Sequence, residues 1–137
     1  MELEHGCVKF LGTVESNGET CTISIKSPFI PALLGIERYS HLIVLYWFHL
    51  RDNDEHRNIL QVTPPRHEGA PLTGVFACRS PSRPNPIGMT VVRLERVDGF
   101  KLIVRGLDAL EGSPIIDLKP YNPETDSIPE AGTPNYI

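Results

Sequence analysis

The sequence predicts an all-β, mainly antiparallel fold: a small single-sheet β-barrel with short helical turns and an extended C-terminal tail. Three observations support this prediction: several short β-prone runs, two tight-turn dipeptides between such runs, and weak helix signal elsewhere. About six or seven short strands joined by tight hairpins are typical of a closed or nearly closed barrel. A chain of 137 residues holds one domain with a sizeable core, so we predict a single domain over residues 1–137.

The first hairpin is predicted around Asn17-Gly18, a dipeptide that favours a type I′ turn. Residues 7–16 before it are β-prone. Residues 19–26 follow it, and within this run residues 20–26 alternate polar and apolar side chains. This period of two is that of a strand with one buried face.

The middle of the chain contains one strongly apolar segment, residues 41–49, which predicts a fully buried strand. Before it, residues 30–35 carry a proline near their start and a glycine at their end, which favours one short turn of helix. After it, the polar residues 51–58 predict a loop or short helix, and residues 74–79 predict a short strand that leads into a proline-rich loop.

A second hairpin is predicted at Asp98-Gly99, with strands over residues 89–97 and 100–105. The last predicted strand is residues 113–118. Residues 120–137 contain four prolines and no periodicity. We therefore expect them to form an extended tail that covers the barrel or a partner subunit.

The most distinctive stretch of the chain is residues 79–88, which read Arg-Ser-Pro-Ser-Arg-Pro-Asn-Pro-Ile-Gly. Its three prolines restrict both their own backbone and that of the residues before them, so the loop is predicted to be stiff. A stiff loop loses little entropy when a ligand binds. The guanidinium groups of Arg79 and Arg83 are then held in place, and their paired N–H donors suit a carboxylate or a phosphate. The alternative is a rigid connection whose arginines are merely solvated.

Charge is unevenly distributed along a chain whose net charge is −4. Residues 57–105 have a balance of +5 and the remainder a balance of −9, which permits an anionic partner without requiring one. The longest apolar run is too short to cross a bilayer, and the acidic N-terminus does not resemble a signal peptide. Three widely spaced cysteines predict a reducing cytoplasm and no zinc site. There is no Rossmann glycine motif and no P-loop.

Two further sets of side chains have both a functional and a structural interpretation. Asp117 and Lys119 are predicted to face the same side of a strand end, as part of a site or as an exposed ion pair of little energetic value. His49 lies where the apolar run leaves the core and is a better functional candidate than His41, although a histidine at a strand end is more often structural. The aromatic residues around Trp47 predict core or interface packing, or an adenine-binding wall.

With this loop and residues 117–121 considered together, the sequence resembles the TsaA-like domain of the TrmO family. The family hallmark Gly-Val-Phe-Ala-x-Arg-Ser-x-x-Arg-Pro-Asn-Pro-Ile-Gly matches residues 74–88 at every fixed position. Shorter segments that also match are residues 40–49, 64–66, 107–108, 112–114 and 117–121. The match extends from about residue 40 to residue 129, and its motifs are long and specific.

The resemblance implies an S-adenosylmethionine-dependent methyltransferase with a barrel in place of a Rossmann core. It also implies a cytoplasmic homodimer, without metal or membrane, that methylates N6 of threonylcarbamoyl-modified adenosine beside the tRNA anticodon. The residues that it assigns to the pocket of S-adenosyl-L-methionine are Arg79, Ser80, Arg83, Pro84, Asn85, Pro86, Leu107 and Asp108. The residues that it expects to close the site are Asp117, Lys119 and Tyr121. The acceptor nitrogen must lose a proton, which Asp117, His49 or solvent could take.

The sequence departs from the family pattern after its first strand. Family members carry Ser-Pro-Tyr or Ser-Pro-Phe and then a Pro-Arg-Gln loop there, whereas residues 11–16 of this chain run directly into Asn17-Gly18. The C-terminal extension of longer members is also missing. Two alternatives therefore stay open: a methyltransferase for a small molecule or a peptide, and a non-catalytic module that binds an adenosyl ligand.

Overall fold

The computed structural model describes residues 2–16 and 18–137. These residues divide into two compact units. The first unit comprises the chain up to Trp47 and the segment Met89–Tyr121. The second unit comprises Phe48–Gly88 and Asn122–Ile137. The expectation of a single domain stays a prediction.

Eight strands lie within the described residues: β1 Gly12–Val14, β2 Thr20–Ile25, β3 His41–Trp47, β4 Gln61–Val62, β5 Thr73–Gly74, β6 Ile87–Asp98, β7 Lys101–Arg105 and β8 Pro114–Pro120. Six of these strands close into a barrel in the order β1-β2-β7-β6-β3-β8, while β4 and β5 form a separate two-stranded sheet. The pairings that define the registers are antiparallel. The predicted fold class is therefore confirmed.

Helical structure within the same residues is short. There are two four-residue α-helices, α1 Asp54–Arg57 and α2 Pro123–Asp126. There are also four 3₁₀ helices, Ser27–Leu33, Ile36–Arg38, His49–Arg51 and Val75–Ala77. None of these helices within residues 2–16 and 18–137 is long and apolar enough to cross a membrane.

Inward-facing side chains of the strands form the core of the first unit, because successive residues of a strand point to opposite faces. In β2 the side chains of Cys21, Ile23 and Ile25 are at most 4% exposed, as the period-two pattern predicts. In β3, Leu42 and Val44 are fully buried, but the alternate residues, such as Ile43 and Leu45, are only half-buried. The expectation that β3 is buried on both faces is therefore wrong, since one face is partly open.

The barrel closes at β1, which pairs with β2 on one side and with β8 on the other. Gly12 lies opposite Ile25 in β2 and opposite Ile115 in β8. The amide of Leu11 donates a 2.8 Å hydrogen bond to the Ile115 carbonyl, which extends the second pairing. A Cβ atom on Gly12 would lie 2.1 Å from the backbone oxygen of Ser24. The absence of a side chain at Gly12 therefore allows β1 and β2 to approach this closely.

The predicted second hairpin is confirmed: β6 and β7 are antiparallel, with Asp98 opposite Lys101. Gly99 has φ of 61°, a left-handed conformation that glycine adopts without strain. In the first hairpin, β1 and β2 also pair antiparallel, but Asn17 of the predicted turn lies outside the described residues.

Two predicted strands differ from the observed ones. The strand expected over residues 7–16 is limited to β1, and its backbone pairing with β2 and β8 extends beyond β1 only through Leu11 and Glu15 among the described residues. The strand expected over residues 74–79 is wrong: after β5 the chain forms the 3₁₀ helix Val75–Ala77. The Val75 amide there donates to the Leu60 carbonyl at 2.9 Å, while Phe76 is 83% exposed.

Two polar segments each contain a short helix, which was one of the alternatives expected for residues 51–58 but not for the C-terminal tail. Residues 51–58 contain α1, which Asn53 caps by accepting a 2.9 Å hydrogen bond from the His56 amide. The C-terminal residues 120–137 are not extended throughout as expected: they contain α2, because Asn122 caps this helix by accepting a 3.0 Å hydrogen bond from the Glu124 amide. Near the end of the chain, the ring of Tyr136 lies 6.4 Å from that of His67 between centroids. The covering role of this tail stays a prediction.

An exposed ion cluster on the first unit gives the fold a pH dependence. Arg105 donates to Glu95 at 2.8 Å and to Glu19 at 2.6 Å. The hydrogen bond from Arg105 lowers the pKa of Glu95 below its usual value. A carboxyl whose folded pKa is depressed contributes stability above its unfolded pKa and loses that contribution as the pH falls through the folded pKa.

We therefore expect Glu95→Gln to have a lower Tm than the parent protein near neutral pH. The difference should shrink as the pH falls below about 4.5, because Glu95 of the parent then becomes neutral too. Thermal unfolding of both proteins across this pH range measures the effect. A Tm difference that does not change with pH would contradict the assignment.

Candidate functional site

The proline-rich loop, residues 79–86, belongs to the second unit and contains no regular secondary structure. Its last residue, Pro86, is fully buried, and the Pro86 carbonyl accepts a 2.7 Å hydrogen bond from the Phe48 amide. The Asn85 carbonyl accepts one of the same length from the Ile87 amide. These backbone contacts add to the restraint that the prolines themselves impose.

The two arginines of the loop differ in their contacts. Nη1 of Arg83 donates to the carbonyl oxygens of Ser80 at 3.0 Å and Cys78 at 3.3 Å. Arg79 is exposed and makes no hydrogen bond or ion pair with any residue that the structure describes. Arg83 therefore stabilises the loop from within, whereas the guanidinium of Arg79 is available to a ligand.

Arg57, at the end of α1, contacts the loop through two nitrogens. Its Nε donates to the Pro84 carbonyl at 2.8 Å, and its Nη2 lies 3.4 Å from Oδ1 of Asn85. Nη1 of Arg57 forms a 3.0 Å ion pair with Asp52. The arginine thus links three acceptors from two segments of the second unit.

Ser82, which is 3% exposed, forms a second link between the loop and the helical segment. Nη1 of Arg51 donates to Ser82 Oγ at 2.7 Å, and Nδ1 of His56 lies 2.9 Å from the same oxygen. Because Arg51 supplies one hydrogen, the serine hydroxyl is free to donate its own hydrogen to a neutral imidazole. Ser82 therefore satisfies both neighbours simultaneously.

Ser82→Ala should lower the free energy of unfolding by about 1–2 kcal/mol, because Arg51 and His56 lose their shared partner in a partly buried place. Denaturant unfolding measures the change. Ser127→Ala, at an exposed serine of the same unit, is the matched control and should leave stability unchanged. Equal stability of both variants would show that the contacts around Ser82 contribute nothing.

His49 begins the 3₁₀ helix His49–Arg51 of the second unit. This differs from the predicted strand end, since β3 already stops at Trp47. The imidazole is half-buried and has no hydrogen bond or ring contact with the described residues. It is therefore able to accept a proton without breaking an existing contact.

Asp117 and Lys119 lie on β8 of the first unit, opposite Leu45 and Ile43 of β3. Their side chains form a 3.1 Å ion pair, which confirms that both face the same side of the strand. The other carboxylate oxygen of Asp117 accepts a 2.9 Å hydrogen bond from the Leu118 amide. Both oxygens of Asp117 thus already have partners.

The ion pair lies on a groove of about 230 Å³ in the first unit. Much of the groove is apolar, with walls from the two 3₁₀ helices before β3. The lining residues are Leu11, Ile25, Phe29, Ala32, Leu33, Leu34, Gly35, Ile36, Tyr39, Asp117, Leu118, Lys119 and Pro120.

Tyr121, Leu107 and Asp108 also belong to the first unit. Tyr121 follows β8, where its amide donates to the His41 carbonyl at 3.1 Å and its ring lies 6.5 Å from that of His41. Leu107 is 4% exposed and is part of the core. The carbonyl of Asp108, an exposed residue, accepts a hydrogen bond from the hydroxyl of Tyr46.

The sequence-predicted site residues therefore form two groups. The second unit holds His49, Arg79, Ser80, Arg83, Pro84, Asn85 and Pro86, and the first unit holds Leu107, Asp108, Asp117, Lys119 and Tyr121. Sequence reasoning missed the residues that stabilise the loop, namely Arg51, His56, Arg57 and Ser82. Three of these are charged or polar residues of a segment that was interpreted only as loop or short helix.

Cys7, Cys21 and Cys78 are free thiols. Among residues 2–16 and 18–137, no group of three His, Cys, Asp or Glu side chains could hold a metal ion. The expectation of a metal-free site stays a prediction.

A comparison with protein families decides the family of this chain. Residues 12–127 match the tRNA-methyltransferase O N-terminal domain. The chain belongs to the TrmO N-terminal domain family. This confirms the resemblance given by the sequence, and the matched range includes every sequence-predicted site residue.

Two relatives illustrate the sequence similarity, which extends over 70% or more of this chain. The probable S-adenosyl-L-methionine-binding protein VirR of Rhizobium radiobacter is 44% identical over 75% of this chain and 55% of its own length. The tRNA (adenine(37)-N6)-methyltransferase of Rattus norvegicus is 43% identical over 70% of this chain and 22% of its own. The chain thus spans about half of VirR and less of the rat enzyme.

The fold agrees with that of a solved TrmO protein. The crystal structure of TrmO from Pseudomonas aeruginosa superposes with a TM-score of 0.75 and 30% identity, over 98% of this chain and 62% of the other. The similarity to this TrmO structure therefore extends over nearly all of this chain.

Proposed function

We propose that this chain is an S-adenosyl-L-methionine-dependent methyltransferase that modifies tRNA. The proposed reaction is N6-methylation of threonylcarbamoyl-adenosine next to the anticodon. One observation carries the proposal: in a chain of the TrmO family, the hallmark loop presents Arg79 without a partner among the described residues. The names of VirR and of the rat enzyme support the methyl donor and the tRNA substrate.

The chemistry of the loop fits the amino-acid end of S-adenosyl-L-methionine. The donor carries a carboxylate there, and a guanidinium is the side chain best suited to grip a carboxylate with two hydrogen bonds. Asn85 is exposed and next to the buried Pro86, so its amide adds a neutral donor on a fixed backbone. Arg83, Ser80 and Pro84 contribute to binding indirectly, because they stabilise the conformation of the loop.

The bound donor supplies a methyl group on a sulfonium, which is already an activated leaving group. What remains for this chain is to align the acceptor with that methyl group and to handle one proton. His49 is the better candidate base, because its imidazole has no partner among the described residues. Asp117 already accepts from Lys119 and the Leu118 amide, so it is a less suitable base than His49.

The proposal extends to partners and location. A tRNA substrate places the protein in the cytoplasm, and the family resemblance favours a homodimer. The positive charge of Lys119, which is half-exposed beside Asp117, would attract the phosphates of the substrate.

Nucleoside mass spectrometry of tRNA from cells with and without the gene tests this function. We expect the N6-methylated threonylcarbamoyladenosine to disappear without the gene and its unmethylated precursor to accumulate. An unchanged nucleoside profile, together with intact binding of S-adenosyl-L-methionine by the purified protein, would contradict the tRNA substrate. That outcome would favour a small-molecule or peptide acceptor.

A second candidate function is a non-catalytic module that binds an adenosyl ligand. The description of VirR as a probable S-adenosyl-L-methionine-binding protein, which states binding and no reaction, favours this alternative. Protection from thermal unfolding by S-adenosyl-L-methionine, without methyl transfer to any RNA pool, would support it. Methyl transfer to tRNA by the purified chain would exclude it.

A further inference from the structure

We propose that Arg57 is a positioning residue that orients the amide of Asn85 for the bound methyl donor. This inference rests on the proposed function, because it assumes that the proline-rich loop holds S-adenosyl-L-methionine. Arg57 lies outside the hallmark loop, on α1, and would not itself contact the donor.

The contacts of Arg57 suit such a role. Its Nε donates to the Pro84 carbonyl at 2.8 Å, and its Nη2 lies 3.4 Å from Oδ1 of the neighbouring Asn85. The ion pair with Asp52 at 3.0 Å fixes the third nitrogen. A planar guanidinium with its three nitrogens engaged has one orientation, so the two loop acceptors are held at a fixed separation.

The orientation of the Asn85 amide has a direct consequence for binding. An amide can present either its oxygen or its NH₂ group in a given direction. Because Arg57 supplies donors, Oδ1 turns toward it and Nδ2 remains for a ligand. Nδ2 has no partner among the described residues. Nδ2 would donate to a hydrogen-bond acceptor of the ligand, such as the carboxylate of S-adenosyl-L-methionine.

This role depends on geometry more than on charge. The side chain of Arg57 is 38% exposed, so solvent screens its field. A lysine at this position keeps the charge but presents a single nitrogen, which cannot serve the Pro84 carbonyl, Asn85 and Asp52 together. Arg57→Lys should therefore behave like Arg57→Gln and not like the parent protein.

Isothermal titration calorimetry with S-adenosyl-L-methionine tests the proposal. We expect Arg57→Gln and Arg57→Lys each to raise the Kd about tenfold. Arg96→Gln is the matched control, because Arg96 also makes an exposed ion pair, with Asp98 at 3.1 Å, but does so on the barrel hairpin. It should leave the Kd unchanged. Rescue of parental affinity by lysine would overturn the geometric role.

A double-mutant cycle with Asn85→Ala separates positioning from general stability. If Arg57 acts through Asn85, then Asn85→Ala weakens binding in the parent and has little further effect in Arg57→Gln. Additive losses would overturn the inference while leaving the proposed function intact. Failure of the parent protein to bind the donor would overturn both. Thermal unfolding of each variant monitors folding, and Arg57→Lys replaces Arg57→Gln in the cycle if the latter does not fold.

Discussion

Arg79→Ala should weaken the binding of S-adenosyl-L-methionine about 10- to 100-fold and leave the Tm unchanged. A hydrogen bond to a charged group contributes about 1.5–3 kcal/mol, and Arg79 is the loop guanidinium without a partner among the described residues. Since the side chain is exposed and makes no hydrogen bond or ion pair with residues 2–16 or 18–137, its removal should not affect folding. Calorimetric titration and thermal unfolding measure the two effects.

Arg83→Ala provides the informative contrast. Arg83 donates to the carbonyls of Ser80 and Cys78, so its loss should lower both the Tm and the affinity for the donor. Arg38→Ala removes an equally exposed positive charge from the first unit and should change neither. If Arg79→Ala bound S-adenosyl-L-methionine as tightly as the parent protein, Arg79 would have no role in binding and the proposed function would lose its main support.

Gly12→Ala should have the largest effect on stability, a loss of about 3 kcal/mol or more. The new Cβ would lie 2.1 Å from the backbone oxygen and 3.0 Å from the carbonyl carbon of Ser24. These atoms belong to the paired strand β2 and cannot rotate away as a flexible side chain would, so the two strands must separate. Because β1 also pairs with β8, the displacement should reach both neighbours. Denaturant unfolding measures the loss.

Gly6→Ala is the control for the change of residue type. A Cβ on Gly6 would meet no atom within 4 Å among the described residues, and this glycine lies in the exposed segment before β1. Its stability should equal that of the parent. If Gly12→Ala were equally stable, the close approach of β1 and β2 would not restrict residue 12.

The sequence was sufficient to predict those parts of the fold that depend on local pattern. The alternation in β2 and the Asp98-Gly99 turn each lie within a few residues, and both were predicted correctly. The length of β1 depends instead on its partners in β2 and β8, which local pattern does not reveal. The apolar run after β5 was misread for a related reason, since its amide at Val75 bonds to the distant Leu60 carbonyl.

The candidate site, too, has one part that could be predicted from the local sequence and one part that could not. The hallmark loop could be recognised because its prolines and arginines are adjacent in sequence. The contacts that hold the loop could not be predicted, because Arg57 and Ser82 join segments that are more than 20 residues apart in the sequence. In sequence, the residues of α1 resemble an ordinary solvated turn, and only the distances to Pro84 and Ser82 distinguish them.

The position of β1 in the ring constrains the order in which the chain folds. Its pairing with Ile115 spans about a hundred residues, whereas β6 and β7 meet across a two-residue turn. Closing a long loop carries a larger entropic penalty than closing a short one. During synthesis, β1 acquires its second neighbour only after the ribosome has released β8. Hairpin formation should thus precede a slower final step, as is usual when distant segments must meet.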